Sequence, residues 1–398
     1  MTNVEKLAFL MKQDNSKAWI NILMSDIISQ QFKDFLKNSC ADLTAQQLQE
    51  IRLGFVDGLS EEKIYIYAKD DFSKEQMRKI RKGLNNLSTE KVMLFANTKF
   101  DINQMSAIYS AFYSYHLLME QVKVFAKPEF DHMQMKKIIL GFEKGLSIEQ
   151  VMLFASPDFN SQQMHQIYLG IRSGLSVKQI SLFANNILTS EQMEQIRLGL
   201  EAGLSTCQIA SYANPFMDSK KMKIIRTYLR QGLDFALVDK YYYFSVEQTE
   251  LIFDGYINGL SEEEIAIYAN YEFSPLQMKQ IFLGIIGKLP VEFILVYAKK
   301  EFSYEQMEFI RNCIKESFTQ KQLALLANTQ FSVSQMNQIK IAVADGFSDS
   351  DINLFANPEL NAYKMADIRR AIKTNTSCSA TAIKALNDDE QLLLKLLK

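Results

Sequence analysis

The stretch 131-DHMQMKKIILGFEKGLSIEQVMLFASPDF-159 is followed at once by 160-NSQQMHQIYLGIRSGLSVKQISLFANNIL-188. The two align without a gap over 29 residues, and the pattern recurs from about Thr44 to the end of the chain. It reads Ser-x-x-Gln-Met-x-x-Ile-x-x-Gly-x-x-x-Gly-Leu-Ser-x-x-x-Ile-x-x-Phe-Ala-Asn-x-x-Phe. A fixed period of this size marks an array in which each repeat buries its apolar face only against its neighbours. The fold class it predicts is all-α: an α-solenoid, or superhelix, of about twelve helix-turn-helix repeats with helical caps.

The repeats begin at Thr44, Ser73, Asp101, Asp131, Asn160, Thr189, Asp218, Ser245, Ser274, Ser303, Ser332 and Asn361. Each of these residue types is a preferred helix N-cap. Three residues later stands Gln in ten repeats, and Lys221 and Lys364 in the other two, which makes a capping box. A long helix therefore starts here, with apolar positions such as Met164, Ile167 and Ile171 on one face. It ends at a glycine (Gly58, Gly145, Gly174, Gly203, Gly232, Gly259, Gly346) suited to a left-handed C-cap. A serine then caps a second helix of about eight residues whose inward side is Ile180, Phe183 and Ala184 in the fifth repeat. Mid-way along the long helix a small residue recurs, as Gly54, Gly83, Ala111, Gly141, Gly170, Gly199, Gly255, Gly284, Ala342 and Ala371. Glycine there costs about 1 kcal/mol relative to alanine, so its recurrence predicts a close approach, assigned to the long helix of the next repeat. Tyr228 and Cys313 interrupt the series and predict locally different packing.

Residues 1–43 fall outside the repeat and read as an N-terminal helical cap, with apolar patterns at Leu7–Met11, Trp19–Ile28 and Phe32–Leu36. The repeat array spans 44–375, and 376–398 reads as a C-terminal capping helix.

Composition bounds the function. With 44 basic and 46 acidic residues the formal charge is −2, which gives no global pull toward nucleic acid or an anionic membrane. Cys40, Cys207, Cys313 and Cys378 form no C-x-x-C pair and read as reduced thiols of a cytoplasmic protein. No signal-peptide pattern and no membrane-spanning run is read. His116, His132 and His165 have no companion at metal-ligand spacing, no phosphate-binding glycine loop is present, and the recurrent serines have capping roles. Neither metal, cofactor nor enzymatic activity is expected.

The pattern that stands apart from the core is the ninth position of the long helix. It holds Arg52, Arg81, Tyr109, Ile139, Tyr168, Arg197, Arg226, Phe253, Phe282, Arg311, Lys340 and Arg369. Equivalent positions in a solenoid line up, so these side chains form a ladder. Such a ladder suits an acidic protein or nucleic acid, with cations on phosphates and rings under bases. It equally suits a structural edge, where arginine stems cover the core and their heads stay wet. Two repeats are irregular. The third carries Tyr113, Tyr115 and His116 where the Gly-Leu turn belongs, and the seventh carries Tyr241, Tyr242 and Tyr243. Both clusters read either as drift in the repeat or as a partner-binding surface.

Phrases such as 192-QMEQIRLGLEAGLS-205 resemble tandem repeats in uncharacterised proteins of gut Firmicutes, their phages and conjugative elements, over about 44–375. The resemblance implies an accessory role on a phage or mobile element. In form, 146-LSIEQV-151 is similar to the short helix that opens TAL-effector repeats. The loop here lacks their base-reading pair and the Gly-Gly-Lys that follows, so no base-reading residue carries over. The expectation is a non-enzymatic scaffold that binds a macromolecular partner along a groove. A protein partner is favoured, and the alternative is a nucleic-acid-binding solenoid that uses the ladder.

Overall fold

The computed structural model describes residues 29–31 and 43–374. The expected terminal caps, Cys40 and Cys378 lie outside the described residues, apart from 29–31 and Leu43. Among the described residues there are 23 helices and no strand. The chain divides into two compact units, residues 1–205 with 213–216, and 206–212 with 217–398.

The first unit runs through α1 (Ala45–Val56), α2 (Glu61–Tyr65), α3 (Lys74–Asn86), α4 (Thr89–Met93), α5 (Ile102–Tyr113) and α6 (Met119–Phe125). It continues through α7 (His132–Glu143), α8 (Ile148–Met152), α9 (Ser161–Arg172), α10 (Val177–Ile180) and α11 (Ser190–Glu201). The second unit holds α12 (Thr206–Tyr212), α13 (Ser219–Arg230), α14 (Ala236–Lys240), α15 (Val246–Ile257), α16 (Glu262–Tyr268) and α17 (Pro275–Ile286). It closes with α18 (Val291–Tyr297), α19 (Tyr304–Lys315), α20 (Gln320–Leu326), α21 (Val333–Ala344), α22 (Asp349–Asn353) and α23 (Ala362–Thr374). Within each unit the long, odd-numbered helices pack on one another in chain order. Short helices pack on the long helices beside them in the chain, which is the contact order of a solenoid.

The core follows the expected stripe. Met164, Ile167, Ile180 and Phe183 are buried, while Ala184 is half-buried. The short helices are shorter than expected, α10 being only four residues. Its last turn tightens, with the Phe183 N–H bonding the Ile180 carbonyl three residues back at 3.1 Å, so the ring is delivered from a turn and not from a helix.

The capping boxes form, and the glutamine in them does more than cap. Gln163 Oε1 accepts the Asn160 N–H at 2.8 Å, the capping contact. Gln163 Nε2 then donates to the Asn186 and Leu188 carbonyls, at 3.1 and 2.7 Å. Those carbonyls end the same repeat, immediately before the N-cap of the next. Gln277 bonds Lys300 and Phe302 in the same way at 3.0 and 2.6 Å, and Gln306 bonds Thr329 and Phe331 at 3.0 and 2.6 Å. Each of these amides is buried, so the clamp replaces water that is not there.

The small mid-helix residue has a different cause from the one expected. A Cβ at Gly83, Gly141 or Gly170 would stand 2.7, 2.9 or 2.8 Å from Cζ of Phe95, Phe154 or Phe183, the ring that follows the same repeat's short helix. The close neighbour is this ring, not the next long helix. At Gly54, Gly255 and Gly284 the ring is Tyr67, Tyr268 or Tyr297, and its hydroxyl occupies the space a Cβ would fill. Each hydroxyl donates to a carbonyl four residues before the glycine, as Tyr268 does to Leu251 at 3.2 Å. Alanine appears where the ring is a phenylalanine, as in Ala111 with Phe125 and Ala342 with Phe355. Tyr228, at the same position, turns its hydroxyl to Asp254 of the next long helix, consistent with the expected local difference.

The seven C-cap glycines have φ between +77° and +97°. Three repeats lacking this glycine put His116, Lys288 and Ser317 in the same left-handed region, at φ 53°, 56° and 70°. L-residues pay about 1–2 kcal/mol for that conformation. Lys288→Gly and Ser317→Gly are therefore expected to stabilise the chain by about 1 kcal/mol each, read as a higher thermal midpoint. Gly255→Ala is expected to destabilise by about 1–3 kcal/mol through overpacking on Tyr268. Adding Tyr268→Phe to Gly255→Ala recovers part of that loss; strict additivity in the double-mutant cycle would refute the steric account.

Candidate functional site

The ladder side chains are engaged with the preceding repeat. The ninth residue of a long helix meets the seventh residue of the long helix before it. Arg81 Nε donates to Glu50 Oε2 at 3.1 Å, Arg197 Nε to Gln166 at 3.0 Å, and Arg311 Nε to Gln280 at 3.2 Å. Arg369 Nε donates to Gln338 at 3.4 Å. Where the ladder residue is Tyr109, the seventh residue is Lys79, whose ammonium lies 5.3 Å from the ring centre. Where it is Lys340, the partner is Phe309, at 5.8 Å. In these pairs arginine meets glutamine or glutamate, and a lysine faces the ring of Tyr109 or Phe309. This complementarity was readable in the sequence by comparing seventh and ninth positions across repeats.

Further acids complete the matching. Arg81 also pairs with Asp57, and Glu50, with a side chain only 1% exposed, holds Arg78 at 3.1 Å as well. Arg197 binds Glu201 at 2.8 Å, Lys340 binds Glu316 at 2.6 Å, and Arg369 binds Asp345 at 3.2 Å. Asp345 also holds Lys373, and that hydrogen bond with the two nearby cations keeps its carboxyl below the ordinary range. The apolar ladder residues Ile139, Tyr168, Phe253 and Phe282 are buried, while Arg52 and Arg226 are half-buried.

The irregular repeats divide similarly. Tyr113 is exposed and stacks on Tyr109 with centroids 5.2 Å apart; Tyr115 is exposed; His116 serves as the left-handed C-cap. In the seventh repeat Tyr241 is buried, its hydroxyl 3.0 Å from that of Tyr256, whereas Tyr243 is 92% exposed. Lys221 occupies the clamp position there. Its ammonium donates to the Tyr241, Tyr242 and Phe244 carbonyls, the last at 2.7 Å, and burial pushes its pKa down to about 8.

A groove of about 480 Å³ opens between α5 and α7. It is lined by Ser106, Ala107, Ser110, Tyr115, His132, Lys136, Lys137 and Ile139, among others. Elsewhere the chemistry is sparse. Among the described residues no group of three His, Cys, Asp or Glu side chains is placed to hold a metal. Cys207 is exposed; Cys313 is buried, and burial pushes its thiol up to about 11. No described helix is long and apolar enough to cross a membrane. No protein-family model matches this sequence, and no curated protein matches it.

Removing one partner of a buried ion pair leaves a charge without compensation. Arg81→Met is expected to cost about 3 kcal/mol, measured by urea unfolding, and Glu50→Met added to it to recover most of that. The Lys221 clamp gives a pH dependence. An unfolded lysine titrates near 10.4, so between about 8 and about 10.4 the unfolded chain binds more protons and stability rises with pH. Below about 8 both states are protonated and the burial cost is fully present. Lys221→Gln restores the glutamine of the other repeats, so the stability gap between variant and wild type is expected to narrow from about pH 7.5 to about pH 9.5. A gap independent of pH would contradict this.

Proposed function

We propose that the chain is a non-enzymatic scaffold of about twelve repeats, stacked as an α-solenoid, that binds a protein partner. The observation that carries this reading is the fate of the ladder. Arg81, Arg197, Arg311, Lys340 and Arg369 direct their charged heads at acids, amides or rings of the chain itself. A nucleic-acid ladder needs those heads on phosphates, where they release counterions. The net charge of −2 points the same way. Exposed rings stand instead at the irregular repeats, as Tyr113, Tyr115 and Tyr243, and also elsewhere, as Phe216, Tyr271 and Tyr363. Exposed aromatic side chains of this kind are favoured anchors in protein interfaces. An accessory role on a phage or mobile element accords with the resemblance of the repeat.

The test uses the full chain. Protein purified at low salt is expected to carry no nucleic-acid absorbance, and to retain neither single-stranded DNA nor RNA. Cross-linking in the native host is expected to recover one stoichiometric protein. Salt-sensitive oligonucleotide binding that falls on charge reversal of Arg52, Arg197 and Arg311 would overturn the reading in favour of nucleic acid.

A further inference from the structure

The groove between α5 and α7 has a physical origin. In four repeats an arginine bridges adjacent long helices at this level, as Arg81 does to Glu50 and Arg197 to Gln166. Here the two positions hold Ala107 and Ile139, both buried and neither able to span the gap. The rung is missing, and the third repeat's extra residue brings Tyr115 to the rim. What results is an apolar floor with hydroxyls of Ser106 and Ser110 on one wall and Lys136 and Lys137 on the other.

The two lysines differ from the ladder cations. Neither has an ion pair or hydrogen bond among the described residues. The acid at the rim, Glu143, is already taken by Lys144 at 3.1 Å. Burial first, and then the charges of Lys137 and Arg197, hold the nearby His165 imidazole below its ordinary pKa, so it offers Lys137 no counterion. A volume of about 480 Å³ lies within the range of small-ligand and peptide side-chain sites.

We propose that this groove docks an acidic segment of the protein partner, with a carboxylate paired to Lys136 and Lys137 and an adjacent apolar side chain on the Ala107–Ile139 floor. The proposal rests on the protein-binding reading above. Two adjacent cations on the same wall attract an acidic chain in a salt-dependent way, and the missing rung supplies the apolar contact.

The full chain is panned against short random peptides displayed on phage, beside the Lys136→Gln/Lys137→Gln chain. Enriched sequences are expected to place Asp or Glu next to an apolar residue. A labelled copy of the enriched peptide is expected to lose about tenfold or more in affinity on the double variant, and to weaken as salt is raised. The double variant keeps the wild-type thermal midpoint, since neither lysine has an ion pair or hydrogen bond among the described residues. Ser110→Trp, which narrows the groove and leaves both lysines, is expected to weaken the peptide too. Peptides bound equally by wild type and both variants would overturn the groove while leaving the scaffold reading standing. No enriched peptide, with single-stranded oligonucleotide or inorganic phosphate captured by the lysines instead, would overturn both.

Discussion

The glutamine near the start of ten of the long helices, buried in most of them, is the interaction on which the repeat depends. Its oxygen closes the capping box, as Gln277 does for the Ser274 N–H at 2.7 Å. Its amide nitrogen reaches the far end of the same repeat and bonds two carbonyls that have left their helix, the one of Phe302 buried. A buried carbonyl without a donor costs about 1–3 kcal/mol; the clamps of Gln163, Gln277 and Gln306 satisfy two each, and those of Gln76 and Gln248 one. Because those carbonyls belong to the residues just before the next N-cap, the clamp fixes where the next long helix begins. One side chain thus sets both the start of a helix and the spacing to its neighbour. Lys221 keeps the donating half of the task with an ammonium, in a repeat that is two residues short.

Two further matched pairs fill the frame that the clamp sets. Within a repeat, the small mid-helix residue and the ring behind the short helix are complementary in volume: tyrosine with glycine, phenylalanine with glycine or alanine. Between repeats, several seventh and ninth positions of successive long helices are matched, arginine with glutamate or glutamine and lysine with a ring. Both pairings are nearest-neighbour terms, the kind that make a repeat array stable by addition. They also explain why so few side chains remain for a partner. The groove beside Lys136 and Lys137 exists because one inter-repeat pair, Ala107 with Ile139, has been reduced to two short apolar side chains.

Much of this was legible in the sequence, and the remainder for definable reasons was not. The period, the Ser-x-x-Gln caps, the Met164–Ile167 stripe and the positive-φ role of Gly174 follow from local rules of helix start, face and stop. Gln163 as a clamp was not legible, because its second partners lie 23 and 25 residues away and nothing in the capping motif points to them. The glycine series points to a close contact but not to its partner, because the sequence shows that space is short, not what fills it. The ladder was visible as a pattern, but its pairing with Glu50, Gln166 and Gln280 needed a comparison across repeats. For the candidate site, Tyr115 was found through the irregular third repeat; Lys136 and Lys137 were missed because two lysines on a helix carry no signal until their lack of partners is known.

Gln277→Glu separates the two tasks of the glutamine most directly. Glutamate is as good as glutamine in a capping box, so its oxygen still accepts the Ser274 N–H. It has no amide nitrogen for the Lys300 and Phe302 carbonyls, and at neutral pH it sets a carboxylate against them. The clamp account predicts a loss of about 3 kcal/mol or more in urea unfolding at neutral pH, with faster amide exchange at the start of α19. A variant as stable as wild type, within about 0.5 kcal/mol, would show that the glutamine only caps its helix and that repeat spacing is set elsewhere.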